Sequence, residues 1–197
     1  LKKGEATRSR IVEAAARQVA VRGIGGVSLG DLAEVVGLSK SGLFKHFDSK
    51  DEMNQAVVEA VLDRFRATIW TPVEALPPGR PRVEAVFKAW LHWGENEWAD
   101  SGCPIHALSV ELDDQPGPLR DYLQMRLQRF RQNVVGEFRL LRDPPLTEGE
   151  AQAAYFQMKS FLLGHADSRR MMGDLDAERS AITAFEALLE RTARAAA

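Results

Sequence analysis

Two stretches of the 197-residue chain hold side chains that could do chemistry at short spacing. The first, 38-LSKSGLFKHFDSK-50, packs three lysines, three serines, one histidine and two phenylalanines into thirteen residues. Ammonium groups and hydroxyls at that density suit phosphate oxygens. The second, 87-FKAWLHWGENEWADSGCPIHAL-108, sets His92, Cys103 and His106 among Phe87, Trp90, Trp93 and Trp98. A thiol with imidazoles could form a nucleophile and its base, or part of a zinc site. The aromatic side chains could wall an apolar pocket, or simply fill a bundle core.

The reactive reading of the second stretch is poorly supported. Cys103 and His106 are close in sequence, but His165 is distant and no second pair stands at ligand spacing, so no metal is expected. A catalytic Cys103 would need His106 or His92 within hydrogen-bond reach, and no motif specifies that geometry. There is no phosphate loop and no dinucleotide fingerprint, so no cofactor is expected. A small α-helical enzyme using Cys103 stays as an alternative, below a binding protein. One cysteine rules out an internal disulfide framework and fits a reducing, cytoplasmic setting. No apolar run approaches the roughly 20 residues that span a bilayer. The opening LKKGEATRSR has no apolar centre behind its charges and does not read as a secretory signal.

Charge separates the two ends of the chain. Residues 1–50 hold nine Lys/Arg against five Asp/Glu, and the rest hold 17 against 23. The amino-terminal part thus suits a polyanion and the remainder does not.

Nearly every periodic segment that could position these residues reads as helix. Ile11, Val12, Ala15, Val19 and Ala20 form a stripe in the first, with Gly23 a plausible stop. Ser28 can cap a short helix carrying Leu32, Ala33 and Val36, with Asp31 at the capping-box position and Gly37 ending it. Ser39 can cap another, with Leu43, Phe44 and Phe47 inward. A longer helix then runs over 51–71, and Pro72 with 77-PPGRP-81 breaks it. Further helical stripes follow, around Val83–Leu91, Ile105–Leu112, Leu119–Val134, Thr147–Met172 and Asp174–Ala195. The expectation is an all-α chain of about nine helices. It divides into a helix-turn-helix domain at 1–50, a connecting helix at 51–71 and a carboxy-terminal bundle at 72–197.

Two short helices meeting tightly at 37-GLS-39 make 28-SLGDLAEVVGLSKSGLFKHF-47 a candidate helix-turn-helix. Its second helix would enter a DNA major groove, with Leu43 and Phe47 as anchors in the core. Ser39, Lys40 and Ser41 would lie at the exposed helix start, and Gly42 would allow close approach to the duplex. Phe44, Lys45 and His46 would face phosphate or groove.

This spaced pattern resembles the DNA-binding domain of the tetracycline-repressor (TetR) family of transcriptional regulators. Arg10, Ile11, Ala14, Ala15, Gly23, Ser28, Leu32, Ala33, Val36, Gly37, Ser39, Leu43, Phe44, Phe47, Lys50 and Met53 carry the likeness. It implies a homodimer on double-stranded operator DNA, with a carboxy-terminal domain that binds a small-molecule inducer. Phe44 stands where the family usually has Tyr, Ser41-Gly42 replaces a commoner Gly-Thr or Gly-Gly pair, and Gly30 replaces a longer polar residue. Ser28 and Lys50 join 39–42 and 44–46 as expected DNA contacts.

The inducer residues expected are Phe87, Trp90, Trp93, Trp98, Cys103, His106, Phe130 and Met158. Lys88 is the sole cation in 83–112, which points to a small hydrophobic inducer rather than a highly charged one. The last two helices carry apolar stripes with small residues, and Phe161, Leu162, Phe185, Leu188 and Leu189 are the expected dimer interface. The function expected is a ligand-responsive repressor released from its operator. A helical DNA-binding protein without induction is the other alternative.

Overall fold

A computed structural model describes residues 3–99 and 101–194. Among them lie ten α-helices and no strand: α1 (Lys3–Arg22), α2 (Leu29–Val36), α3 (Lys40–Leu43), α4 (Lys50–Phe65), α5 (Arg80–Leu91), α6 (Trp93–Glu97), α7 (Pro104–Leu112), α8 (Pro118–Arg139), α9 (Glu148–Arg170) and α10 (Ala177–Ala193). The tenth helix, beyond the nine expected, is the short α6. The expected end of the last helix at Ala195 lies outside the described residues.

Three boundaries and one cap differ from expectation for local reasons. The connecting helix is regular only to Phe65, then widens into a π turn at Arg66–Trp70 and tightens into a 3-10 turn at Thr71–Ala75. Pro72 has no N–H to give and its ring would crowd the carbonyl one turn back, so the α pattern cannot continue. α3 stops at Leu43, and the chain goes on to His46 in i−3 bonds, Lys45 N–H to Gly42 O and His46 N–H to Leu43 O. Asp31 does not close a capping box. Its N–H donates to Ser28 Oγ, but its carboxylate turns to Arg22 at 3.2 Å. The last helix begins at Ala177, because the Asp174 carboxylate accepts the Asp176 N–H in a tight turn ahead of it.

The chain forms two compact units. The first takes residues up to Arg66 together with Glu95–Arg126, and so is larger than a 1–50 domain. α1 packs against α2, α4 and α7. Ile11, Ala15 and Val19 of α1, Val57, Val58 and Val61 of α4, and Leu108 of α7 are buried within it. Each such Ile, Val or Leu side chain contributes about 1.5–3 kcal/mol, and the Ala15 methyl less. Arg64 adds a polar tie, donating to Glu97 at 2.6 Å and to Glu13 at 3.1 Å.

The second unit takes Ala67–Gly94 with the chain from Leu127 onward. α9 packs against α10 and α5. Thr147 starts α9 with a complete capping box to Glu150. Phe87 of α5 stacks on Phe185 of α10 with ring centroids 3.8 Å apart. Buried Glu137 is fully engaged, accepting from Arg82 at 2.8 Å and from the Gly79 N–H at 2.7 Å, which pins the proline-rich linker to α8. An acid buried this way is tolerated because both oxygens find donors.

Candidate functional site

The candidate DNA-reading surface is built on buried anchors. Leu43 and Phe47 are buried, which fixes α3 and the turn after it, while Lys40, Ser41, Phe44 and Lys45 are exposed and His46 is half-buried. Phe44, expected on the inner side, instead faces outward at the end of α3. Ser39 caps α3, its Oγ accepting the Gly42 N–H at 3.0 Å and lying 3.0 Å from Ser41 Oγ. Ser28 Oγ is engaged in capping α2. Lys50 is the first residue of α4, behind the Ser49 cap.

Three ties hold this assembly to α1. Arg10 donates to the Val36 carbonyl at the end of α2 (3.2 Å), and Arg22 pairs with Asp31 in its first turn. Arg8 lies over the Phe47 ring at 4.5 Å and pairs with Glu52 at 2.8 Å. The Asp48 N–H also donates to Glu52, at 2.6 Å. The Glu52 carboxyl is held below the ordinary carboxylate range, first by that N–H and then by Arg8. Gly30 leaves a gap over which the Lys40 side chain lies: a Cβ on residue 30 would sit 3.3 Å from Lys40 Cε.

A pattern described as "Bacterial regulatory proteins, tetR family" matches residues 11–57, and one described as "Tetracyclin repressor-like, C-terminal domain" matches residues 79–185, more than half of the chain. The chain belongs to the TetR family of transcriptional regulators. The family consists of DNA-binding regulators and not enzymes. One curated relative, the HTH-type transcriptional regulator TtgR of Pseudomonas putida, is 36% identical over 55 residues, which cover 28% of this chain and 26% of TtgR. The match therefore spans about a quarter of that relative's length. A TetR regulator structure from Chloroflexus aurantiacus superposes with a TM-score of 0.82 over 96% of both chains at 20% identity. The structure of AibR in complex with isovaleryl coenzyme A and operator DNA superposes with a TM-score of 0.75 at 19% identity, covering 93% of this chain and 98% of AibR. At such identities these two likenesses concern the fold.

In this TetR-family regulator the residues expected to meet an inducer fall into both units. Phe87, Trp90, Trp93, Phe130 and Met158 belong to the second, and Trp98, Cys103 and His106 to the first. Within the second unit Phe130 meets Trp90 and Trp70 edge-on, at 5.3 and 6.3 Å. Met158 and Trp93 are buried, and one face of Phe87 is covered by Phe185. In the first unit Trp98 is buried beneath the Arg64 guanidinium at 5.3 Å, Cys103 is half-buried at the start of α7, and His106 is exposed. Two polar side chains on the inner face of α9, Tyr155 and His165, lie among the second unit's buried residues and were not singled out as inducer contacts. Burial pushes the Tyr155 phenol up to about 12, so it is a neutral donor. Their place in the α9 apolar stripe was the signal available.

The dimer residues expected from the stripes are corrected by packing. Leu162, Phe185, Leu188 and Leu189 are buried within one chain and fill its own core, while Phe161 is half-buried. The outer face of α9 instead shows Phe156, 70% exposed, and Leu163, 40% exposed. Ala153, Ser160 and Gly164, all small, share that face by helical spacing and are exposed. Among the described residues no group of three or more His, Cys, Asp or Glu could hold a metal ion, and no helix is long and apolar enough to cross a membrane.

Proposed function

We propose that this regulator is a homodimeric repressor that leaves its operator when a small hydrophobic molecule binds. The observation that carries the reading is the exposed, cationic start of α3 seated on buried Leu43 and Phe47, a rigid mount for side chains that read a groove. Lys40, Ser41, Gly42 and Lys45 are the base-edge and groove candidates. Ser28, Ser39, Phe44, His46 and Lys50 flank the duplex. The aromatic group Trp70, Trp90 and Phe130, with Met158, Tyr155 and His165 in the same unit, supports an apolar inducer with one or two polar groups. The mechanism is a population shift: the inducer binds better to a conformation whose two recognition helices no longer match successive major grooves. Two copies are required for that geometry, and the outer face of α9, with Phe156 and Leu163, supports their association.

Selecting bound fragments from genomic DNA and then screening hydrophobic compounds for release in a retardation assay tests this. A specific fragment released by a compound that also quenches tryptophan fluorescence is expected. Trp90→Ala should raise the compound concentration needed without changing operator affinity. Retention of a specific fragment by every compound class, with no quenching, would leave a regulator that is not induced.

A further inference from the structure

We propose that Glu111 is a positioning residue for DNA recognition, an α7 side chain that holds the α1–α2 turn and so sets the pose of the helix-turn-helix. Its carboxylate accepts two consecutive backbone N–H groups, Ile24 to Oε2 at 2.5 Å and Gly25 to Oε1 at 2.7 Å. Bonds to an ionised acceptor are short and about twice as strong as neutral ones. The turn 23-GIGG-26 is shaped to admit this carboxylate. Gly23 has φ +74°, and a Cβ there would overlap Glu111 Oε2; a Cβ on Gly25 would lie 2.9 Å from Oε1.

Local helix stability does not account for a glutamate at this place. Glu111 is the next-to-last residue of α7, where the helix dipole disfavours a negative charge. The two N–H groups of the turn reverse that balance. Ser28 follows the turn and caps α2, and α2 is bound at both ends to α1 through Arg22–Asp31 and Arg10–Val36. The reader is thus one body clasped at its turn by α7. α7 lies in the stretch matched to the family's carboxy-terminal domain, yet it packs on α1. A shift of α7 therefore reaches the turn directly. That last step rests on the ligand-responsive reading; the positioning role does not.

The test uses the full chain, a selected operator fragment and a random duplex of equal length, with no inducer. Glu111→Ala should weaken operator binding by about tenfold or more and leave random-duplex binding unchanged. Glu111→Gln should fall between, since an amide keeps one acceptor oxygen but turns a donor toward the other N–H. Hydrogen exchange followed by mass spectrometry should show lost protection over residues 23–28 only. Gly23→Ala should cost less operator affinity in the Glu111→Ala background than in the native one, because the overlap is gone. Unchanged operator affinity, additive Gly23→Ala losses, or a parallel fall on both duplexes with exchange throughout α1 would each overturn the proposal. Failure to find any releasing compound would instead count against the ligand-responsive reading and leave these results intact.

Discussion

Replacing Phe156 with Glu should split the proposed dimer while each chain stays folded. Phe156 is 70% exposed on α9, so of the roughly 200 Å² a phenylalanine can bury, about 140 Å² is available to a partner. At about 25 cal/mol per Å² that is about 3.5 kcal/mol. A two-fold interface uses the same patch on both copies, so complete burial contributes about 7 kcal/mol. At about 1.4 kcal/mol per decade the dissociation constant rises about 10⁵-fold, enough to turn a nanomolar dimer into a monomer at micromolar protein. Burial of even a third of that area shifts it by well over tenfold. Phe185→Glu is the contrast: Phe185 is 3% exposed and stacked on Phe87, so a charge there is buried in the chain itself and should unfold it. Sedimentation velocity at about 1 μM, beside helix content by circular dichroism, separates the two. A Phe156→Glu protein that still sediments as a dimer, or a folded Phe185→Glu monomer, would refute the assignment of the outer face.

Lys50→Ala should weaken binding to every sequence and lower the salt slope by about 0.9, while Lys40→Ala or Ser41→Ala should change site preference. Because Lys50 opens α4 against the helix dipole, its loss should leave thermal stability unchanged or slightly raised; equal effects of all three variants on specific and random DNA would end this division of roles. Gly30→Ala should add about 0.5–1 kcal/mol of stability in α2 yet alter the selected operator, since the new Cβ displaces Lys40; identical selected sequences would show that Lys40 does not read DNA from that position. Glu52 and Glu150 both have lowered carboxyl pKa values, Glu52 chiefly through the Asp48 N–H and Glu150 chiefly through the Thr147 hydroxyl. Their stabilisation is present above the unfolded value near 4.5 and lost as pH falls through the lower folded value, so E52Q and E150Q should each flatten acid unfolding without altering its alkaline side.

The helix-turn-helix was legible because its signals are local. Ser28, Gly37 and Ser39 act within one turn of the chain, and the apolar stripe of α1 repeats with the helix. The same locality explains what was missed. Spacing shows that Phe185, Leu188 and Leu189 are apolar on one face of α10, but not whether that face meets α5 of its own chain or a second copy. Phe87 decides it, from 98 residues away in the sequence. The exposed side of α9 was obscured because Phe156 interrupts a face of small and polar residues and so reads as a stray from the stripe. Pro72 marked a break in the connecting helix, but no local signal marked the π turn at Arg66–Trp70 before it.

Glu111 is the sharpest case of such long-range assignment. In sequence it is one acid near the end of a short helix, beside Asp113 and Asp114 in an acidic loop. The four residues 23-GIGG-26 look like an ordinary loose turn. Two of the three glycines serve the turn itself: Gly23 at φ +74° lets the chain reverse after α1, and a Cβ on Gly26 would lie 2.4 Å from the Arg22 carbonyl oxygen. Gly25, which the turn itself does not require, becomes intelligible once a carboxylate is seated against the backbone there, because a Cβ at 25 would lie 2.9 Å from Glu111 Oε1. A surplus of glycine beside a helix end is thus a sequence sign of close approach, but it cannot name the approaching group 86 residues away.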